Sequence, residues 1–308
     1  MTVSVSEVGL TGKNVQLPTL RLNNLDIIFR GNFIRRAEIK DELFNEAPKN
    51  PDQIITDLKK SVLKADIFTF TQKLPDINRN YDYYYEWDNI AAIEVENYEK
   101  WHKDIHRKAR QSLNKAERKG VVTRIVDFND TLIEGIKKIF DETPVRQGKR
   151  FWHYSKDLVT VKKEMSRDLD RSVFIGAFFD EELIGFIKII KLEPIANLAQ
   201  ILSMVEHRDK SPTTALIAAG VRFCAENNFK YLTYGNYTYG KKGHDTLTYF
   251  KEHNGFSEIK LPRYFIPLTF RGRLILSLKL HNGIRAMIPK RGILALLYLR
   301  KKIFKVVE

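Results

Sequence analysis

Cysteine is almost missing from this 308-residue chain, with Cys224 the only one. A single thiol can form neither an internal disulfide nor a multi-thiolate zinc site, and it fits a reducing compartment. In VRFCAENN it reads as a buried helical position, with a nucleophile as the alternative reading. No apolar run approaches the ~18 residues that a membrane-spanning helix needs. The start, MTVSVSEVGLTGK, lacks the basic and apolar regions of a signal peptide, so a cytoplasmic location is expected. A Walker loop, H-E-x-x-H, C-x-x-C and G-x-S-x-G are all lacking, which leaves nucleotide hydrolysis, zinc peptidase and serine hydrolase chemistry without support. Asp76, Asp82 and Asp88 are spaced too widely for a calcium loop, and no metal site is expected.

What the chain does have is charge in two places. The total is 52 Lys+Arg against 38 Asp+Glu, a net +14. Residues 268–308 hold ten Lys/Arg and one acid, a local +9, and residues 98–120 hold eight Lys/Arg and three acids, a local +5. These two segments carry the whole excess. Such localisation points to a polyanionic or membrane-surface partner, against the plainer reading of two solvated faces.

Residues 17–30 read as two strands around the Asn23-Asn24 turn. A helix over DQIITDLKKSVLKA, a strand in ADIFTFTQKL and an aromatic loop over LPDINRNYDYYYEWDN follow. One long helix is predicted from Tyr98 to Lys119, capped by Asn97 and stopped by Gly120. Its apolar stripe is Trp101, Ile105, Ala109, Leu113 and Ala116; Lys103, Arg107, Arg110, Asn114 and Arg118 form a mostly basic face. From Gly120 the order is strand, two helices (LIEGIKKIFDET and WHYSKDLVTVKKEMSRDL, the second from Trp152), a three-strand meander turning at Asp180-Glu181, helix (TTALIAAGVRFCAENN), strand, short helix (TLTYFKEHN) and a last strand or pair. This predicts an α/β (α+β) fold, a mixed sheet flanked by helices.

That order over residues 121–270 resembles the GNAT acyltransferase fold. In that family the turn between the meander and the next helix reads R/Q-x-x-G-x-G/A, and its amides cradle the pyrophosphate of acyl-CoA at a helix N-terminus. Here the aligned residues are Arg208-Asp209-Lys210-Ser211-Pro212-Thr213, with both glycine positions filled; the alternative is a plain capped helix. Phe250-Lys251 followed by Asn254-Gly255-Phe256 puts Lys251 where many GNAT enzymes place a tyrosine. This is similar to the Fem-type, BioF2-like branch, the peptidoglycan aminoacyltransferases. Fem-type proteins carry a further GNAT-like half in front, which implies three parts: residues 1–120 as a smaller N-terminal half, 121–270 as the acyltransferase domain and 271–308 as a basic amphipathic helical extension.

The resemblance implies acyl-CoA, acetyl-CoA for instance, as the donor, held by Val205, Arg208, Lys210, Ser211, Thr213 and Thr214. A backbone N–H from the region 203–205 would polarise the acyl carbonyl. Glu206 or His207 would act as base, with Tyr239 and Lys251 completing the catalytic set; an exposed strand end is the competing account of Glu206 and His207. The glycine-punctuated segment from Tyr237 through Lys241 and Lys242 to His244 would face the same cleft, or be a plain loop. Arg146, Gln147, Arg150, Trp152, His153 and Tyr154 bring cations and aromatics together after a helix break and would bind the acceptor, against the reading of an aromatic plug into the core.

The tail is expected to lie on an anionic membrane surface, with domain packing or an RNA-binding arm as alternatives. The functions implied are transfer of an acyl group from acyl-CoA to an amino group of an envelope sugar, peptide or lipid precursor, transfer from aminoacyl-tRNA, or a non-catalytic membrane-associated role.

Overall fold

The computed structural model of the chain describes residues 2–10, 13–146, 148–239 and 246–283. Gln147, Lys241, Lys242, His244 and all of the basic tail beyond Gly283 lie outside the described residues. In chain order the strands are β1 (Thr2–Leu10), β2 (Lys13–Leu22), β3 (Leu25–Arg30), β4 (Arg36–Ile39), β5 (Ile67–Thr71), β6 (Tyr85–Glu94), β7 (Val122–Val126), β8 (Val145–Arg146), β9 (Lys149–Arg150), β10 (Ser172–Phe179), β11 (Glu182–Leu192), β12 (Ile195–Ser203), β13 (Tyr231–Thr233) and β14 (Ser257–Pro267). The helices are α1 (Pro51–Lys60), α2 (Tyr98–Asp104), α3 (Arg107–Arg118), α4 (Asp130–Asp141), α5 (Leu158–Met165), α6 (Pro212–Glu226), α7 (Thr246–His253) and α8 (Phe270–Ser277).

Among the described residues twelve strands join in one sheet, in the order β1-β2-β3-β4-β5-β14-β6-β13-β12-β11-β10-β7, and β8 pairs only with β9. The order is built of two similar units back to back. In the first, a meander ends in β4, α1 crosses over, and β5 lies parallel to β4; in the second, a meander ends in β12, α6 crosses over, and β13 lies parallel to β12. The central pair is exchanged: β14, late in the chain, pairs with β5, while β6, from the first unit, pairs with β13. No seam divides the sheet at residue 120. Arg263 on β14 reinforces the exchange by ion pairs to Glu42 (2.8 Å) and to Asp88 on β6 (2.9 Å).

The local sequence explains most of these elements. Asn23 and Asn24 both take positive φ (45° and 64°), as do Asp180 and Glu181 (47° and 61°), the conformation tight two-residue hairpin turns require. Asn129 opens α4 by accepting the Leu132 N–H at 2.9 Å. α6 buries residues all round, Leu216, Ile217, Val221, Phe223 and Cys224 among them, because it lies between β11 on one side and α2–α3 on the other. Burial pushes the Cys224 thiol up to about 12, so it packs and does not react.

Three expectations are corrected. The predicted long helix is two, α2 and α3, parted at Ile105 (ψ 154°). The break is satisfied locally: His106 Nδ1 accepts the Lys108 N–H, and the Arg110 guanidinium donates to the carbonyls of Lys103 and Ile105 that α2 leaves unpaired. The apolar stripe itself is buried as expected. The aromatic stretch read as loop ends in a central strand, since β6 begins at Tyr85 and is paired on both sides. The helical stretch from Trp152 shrinks to α5, capped by Asp157. After β14, α8 folds back and packs Ile275 and Leu276 on the sheet, so domain packing accounts for the first turns of the extension.

Candidate functional site

β12 and β13 pair over only three residues, Ile195 to Asn197 against Tyr231 to Thr233. Beyond them the chain after β13 turns to β6, with the Tyr234 N–H on Ala91 O and the Ala91 N–H on Gly235 O, both 2.9 Å. β12 continues alongside β11 to Ser203, bulged between Leu198 and Gln200. The edge Leu198–Ser203 therefore has no strand partner on its β13 side among the described residues, and a wedge opens in the sheet. A cleft of about 430 Å³ fills the wedge, lined by Ser203 and Val205 from the end of β12, by Ser211, Thr213 and Thr214 from the start of α6, and by Tyr234, Thr246, Leu247 and Phe250 opposite. Arg146 and Arg208 stand at its rim.

The turn into α6 keeps a glycine conformation without glycine. Ser211 has φ +56°, in the left-handed region, and no side chain caps the helix, so its first-turn N–H groups are left to the cleft. Thr213 occupies the other glycine position, and its hydroxyl lies 2.8 Å from Ser203 Oγ. Lys210 turns away toward His207 Nδ1 (3.1 Å) and the Phe179 ring (4.5 Å). His207 packs on that same ring, and Glu206 is exposed at the end of the turn.

Lys251 is wholly buried on α7, directly behind Tyr234. Its ammonium donates to the Asn236 carbonyl and lies 4.7 Å from the Tyr234 ring and 4.9 Å from that of Tyr239. Burial pushes the Tyr234 hydroxyl up to about 12, which keeps it protonated at neutral pH. Tyr239 is about half exposed, 47%. Tyr237 belongs to the core, so its ring is not presented to a substrate.

The segment proposed for the acceptor divides. Arg146 reaches the cleft wall, its guanidinium donating to the carbonyls of Ser203 (2.8 Å) and Ile139 (2.9 Å) and to the Glu142 carboxylate (2.9 Å). Arg150, Trp152 and Tyr154 are exposed, with Lys156 3.8 Å above the Trp152 ring. His153 is the aromatic plug: it is buried against Phe140 with ring centroids 4.2 Å apart, and its desolvation holds the imidazole pKa below the ordinary range. Glu142 escaped the sequence reading, because it lies past the end of α4 and its backbone partners, the amides of Val205 and Glu206, are more than sixty residues away. Tyr234, Thr246 and Leu247 also escaped it, because the wedge that exposes them is a tertiary feature.

On the neighbouring strand, Lys188 is buried and donates to the carbonyls of Met165 and Arg167, tying down the end of α5. Burial pushes its ammonium down to about 8 from an ordinary 10.5. Between these two values the unfolded chain holds a proton that the folded chain releases, so stability rises with pH across that window. Urea melts of the chain and of Lys188→Met at several pH values should show the wild type gaining on the variant through that window; a constant difference would mean that Lys188 stays charged.

No family model and no curated protein matches the sequence. Solved structures do match. FemX superposes with a TM-score of 0.57 at 9% identity, over 89% of this chain and 90% of its own. The C-terminal domain of a putative lysylphosphatidylglycerol synthetase from Agrobacterium fabrum gives 0.52 at 12% identity, over 85% and 88%. L-PGS from Bacillus licheniformis gives 0.51 at 13%, over 83% and 85%. The chain has a Fem-like GNAT fold. The likeness extends along nearly the whole chain. Among the described residues no cluster of His, Cys, Asp or Glu could hold a metal, and no helix is long and apolar enough to cross a membrane.

Proposed function

We propose that this chain is a transferase of the Fem/GNAT kind that moves an acyl group from an activated donor, bound in the wedge, to an amino group of an acceptor. The observation that carries this reading is the wedge itself: a sheet parted beside an uncapped helix N-terminus, so that an acyl carbonyl could meet strand amides while an anionic carrier meets the helix end. Lys251, behind Tyr234, would supply fixed positive charge near the developing oxyanion or the leaving group. Trp152, Tyr154 and Arg150 offer an exposed aromatic and basic surface for an acceptor of the envelope-precursor type.

For the donor, two readings compete. Acyl-CoA is supported by the left-handed Ser211 and by Arg208, the residues that would hold a pyrophosphate. Aminoacyl-tRNA is supported by the setting of the wedge. The basic face of α3 runs to its rim, where Lys119 pairs with Asp209 at 3.3 Å, and Thr213 narrows the turn that would hold CoA. We favour aminoacyl-tRNA, because a basic helix leading to the cleft suits a carrier much longer than a pyrophosphate.

Titration with CoA, acetyl-CoA and aminoacyl-tRNA at low and moderate salt tests the choice. Binding of aminoacyl-tRNA that weakens steeply with salt, with no saturation by CoA, is the result expected. Saturable CoA binding lost in Arg208→Ala would restore the acyl-CoA reading, and binding of neither donor would leave the chain non-catalytic.

A further inference from the structure

Two consecutive backbone N–H groups at the end of β12 converge on one side chain. The Val205 N–H donates to Glu142 Oε2 at 2.7 Å and the Glu206 N–H to Glu142 Oε1 at 2.8 Å. Arg146 adds a third donor at 2.9 Å to the same carboxylate. Glu142 and Arg146 are mostly buried, with side chains 16% and 14% exposed.

The three donors are held by parts of the fold other than the carboxylate. The Met204 N–H on Ile184 O (2.8 Å) and the Arg208 N–H on Val205 O (3.1 Å) fix the turn that carries the two amides. The carbonyls of Ser203 and Ile139 and the face of Phe151, 4.9 Å away, fix the guanidinium. Glu142, by contrast, is the C-cap of α4, one residue past its last helical residue, Asp141, and the chain beyond it leaves the helical path at Pro144. A receptor with rigid donors and an occupant at a helix end is arranged so that the occupant can leave and the receptor persist. Arg146 and Val205 both line the cleft, so two of the three donors belong to residues of its wall.

We propose that the Val205 and Glu206 amides and Arg146 form an oxyanion subsite of the cleft, which takes a carboxylate or phosphate group and which the chain's own Glu142 occupies as a placeholder. One oxygen per amide, with a guanidinium at the side, is the pattern that recognises such groups. While Glu142 is seated, an external anion must displace it to enter. The inference stands on this geometry whichever donor the enzyme uses.

Chemical rescue tests it without an activity assay. Glu142→Ala leaves Arg146 and both amides without their anion and should melt below the wild type. Sodium formate or sodium phosphate should then raise its melting temperature saturably, by roughly 4 °C at a hundredfold excess over the dissociation constant. Sodium chloride at equal ionic strength should not do so. The quantity that counts is the shift of the variant beyond that of the wild type, which removes the general stabilisation by excluded salts. Glu142→Gln, whose carboxamide still fills the space, should show no rescue. Should Glu142→Ala fold poorly, its refolding yield from urea with and without the two anions gives the same comparison. Rescue by formate alone assigns a carboxylate subsite, and rescue by phosphate a phosphoryl subsite. An excess shift of zero with both anions, or a Glu142→Ala as stable as wild type, would overturn the proposal while leaving the transferase reading standing.

Discussion

A Lys251→Met variant is expected to fold and to transfer acyl groups about 10²- to 10³-fold more slowly than the wild type. Methionine keeps most of the length and volume of the lysine stem, so the packing of α7 behind Tyr234 survives. What goes is an ammonium that donates to the Asn236 carbonyl and lies within 5 Å of the rings of Tyr239 and of Tyr234, which lines the cleft. If that charge stabilises the transition state, kcat falls and KM stays close to its wild-type value. Lys251→Ala is the contrasting variant: it also empties a wholly buried site, and a cavity of that kind costs about 2–4 kcal/mol of stability. Equal kcat in Lys251→Met and wild type would assign the lysine to packing alone.

Thr213→Trp is expected to abolish donor binding, a loss of at least ~100-fold. Thr213 lines the wedge, and an indole at that position would take up part of a cleft of about 430 Å³. Stability should change little by comparison: the hydroxyl contact with Ser203 is one hydrogen bond, worth about 1 kcal/mol. Thermal melts separate the two effects. A variant that melts a few degrees lower yet binds donor normally would move the donor site away from the start of α6. Arg208→Ala should give a smaller, salt-dependent loss, because Arg208 is exposed and its field is screened.

How far the sequence carried depended on whether a signal was local. The meander, the crossover helix α6 and the late helix α7 were legible because turn pairs such as Asp180-Glu181 and the 3.6-residue periodicity are written within a few residues. The exchange of β6 and β14 was not. β6 is a central strand whose apolar run is prefaced by Tyr85, Glu86, Trp87, Asp88 and Asn89, a composition that reads as loop until its two partners are known. The break at Ile105 was invisible for a related reason. Neither proline nor glycine marks it, and the hydrogen bonds of His106 and Arg110 that sustain it are side-chain decisions.

The site divides in the same way. Arg146, Val205, Arg208, Ser211, Thr213 and Thr214 all line one cleft. The substitutions at the glycine positions misled in part, because Ser211 holds the backbone conformation that the missing glycine would favour. His153 and Tyr237 are aromatic in sequence neighbourhoods rich in polar residues, and only packing reveals that they face the core. Glu142 was passed over since nothing local says that a carboxylate at the end of α4 will meet two amides more than sixty residues away.

The central claim is that the donor lies in the wedge between β12 and β13, and amide hydrogen exchange reads this directly. With a saturating donor, the account predicts slowed exchange at residues 198–214, along the open edge of β12 and the start of α6, and at residues 234–239 and 246–250 across the cleft. Protection that spares both stretches and appears elsewhere on the sheet would contradict it.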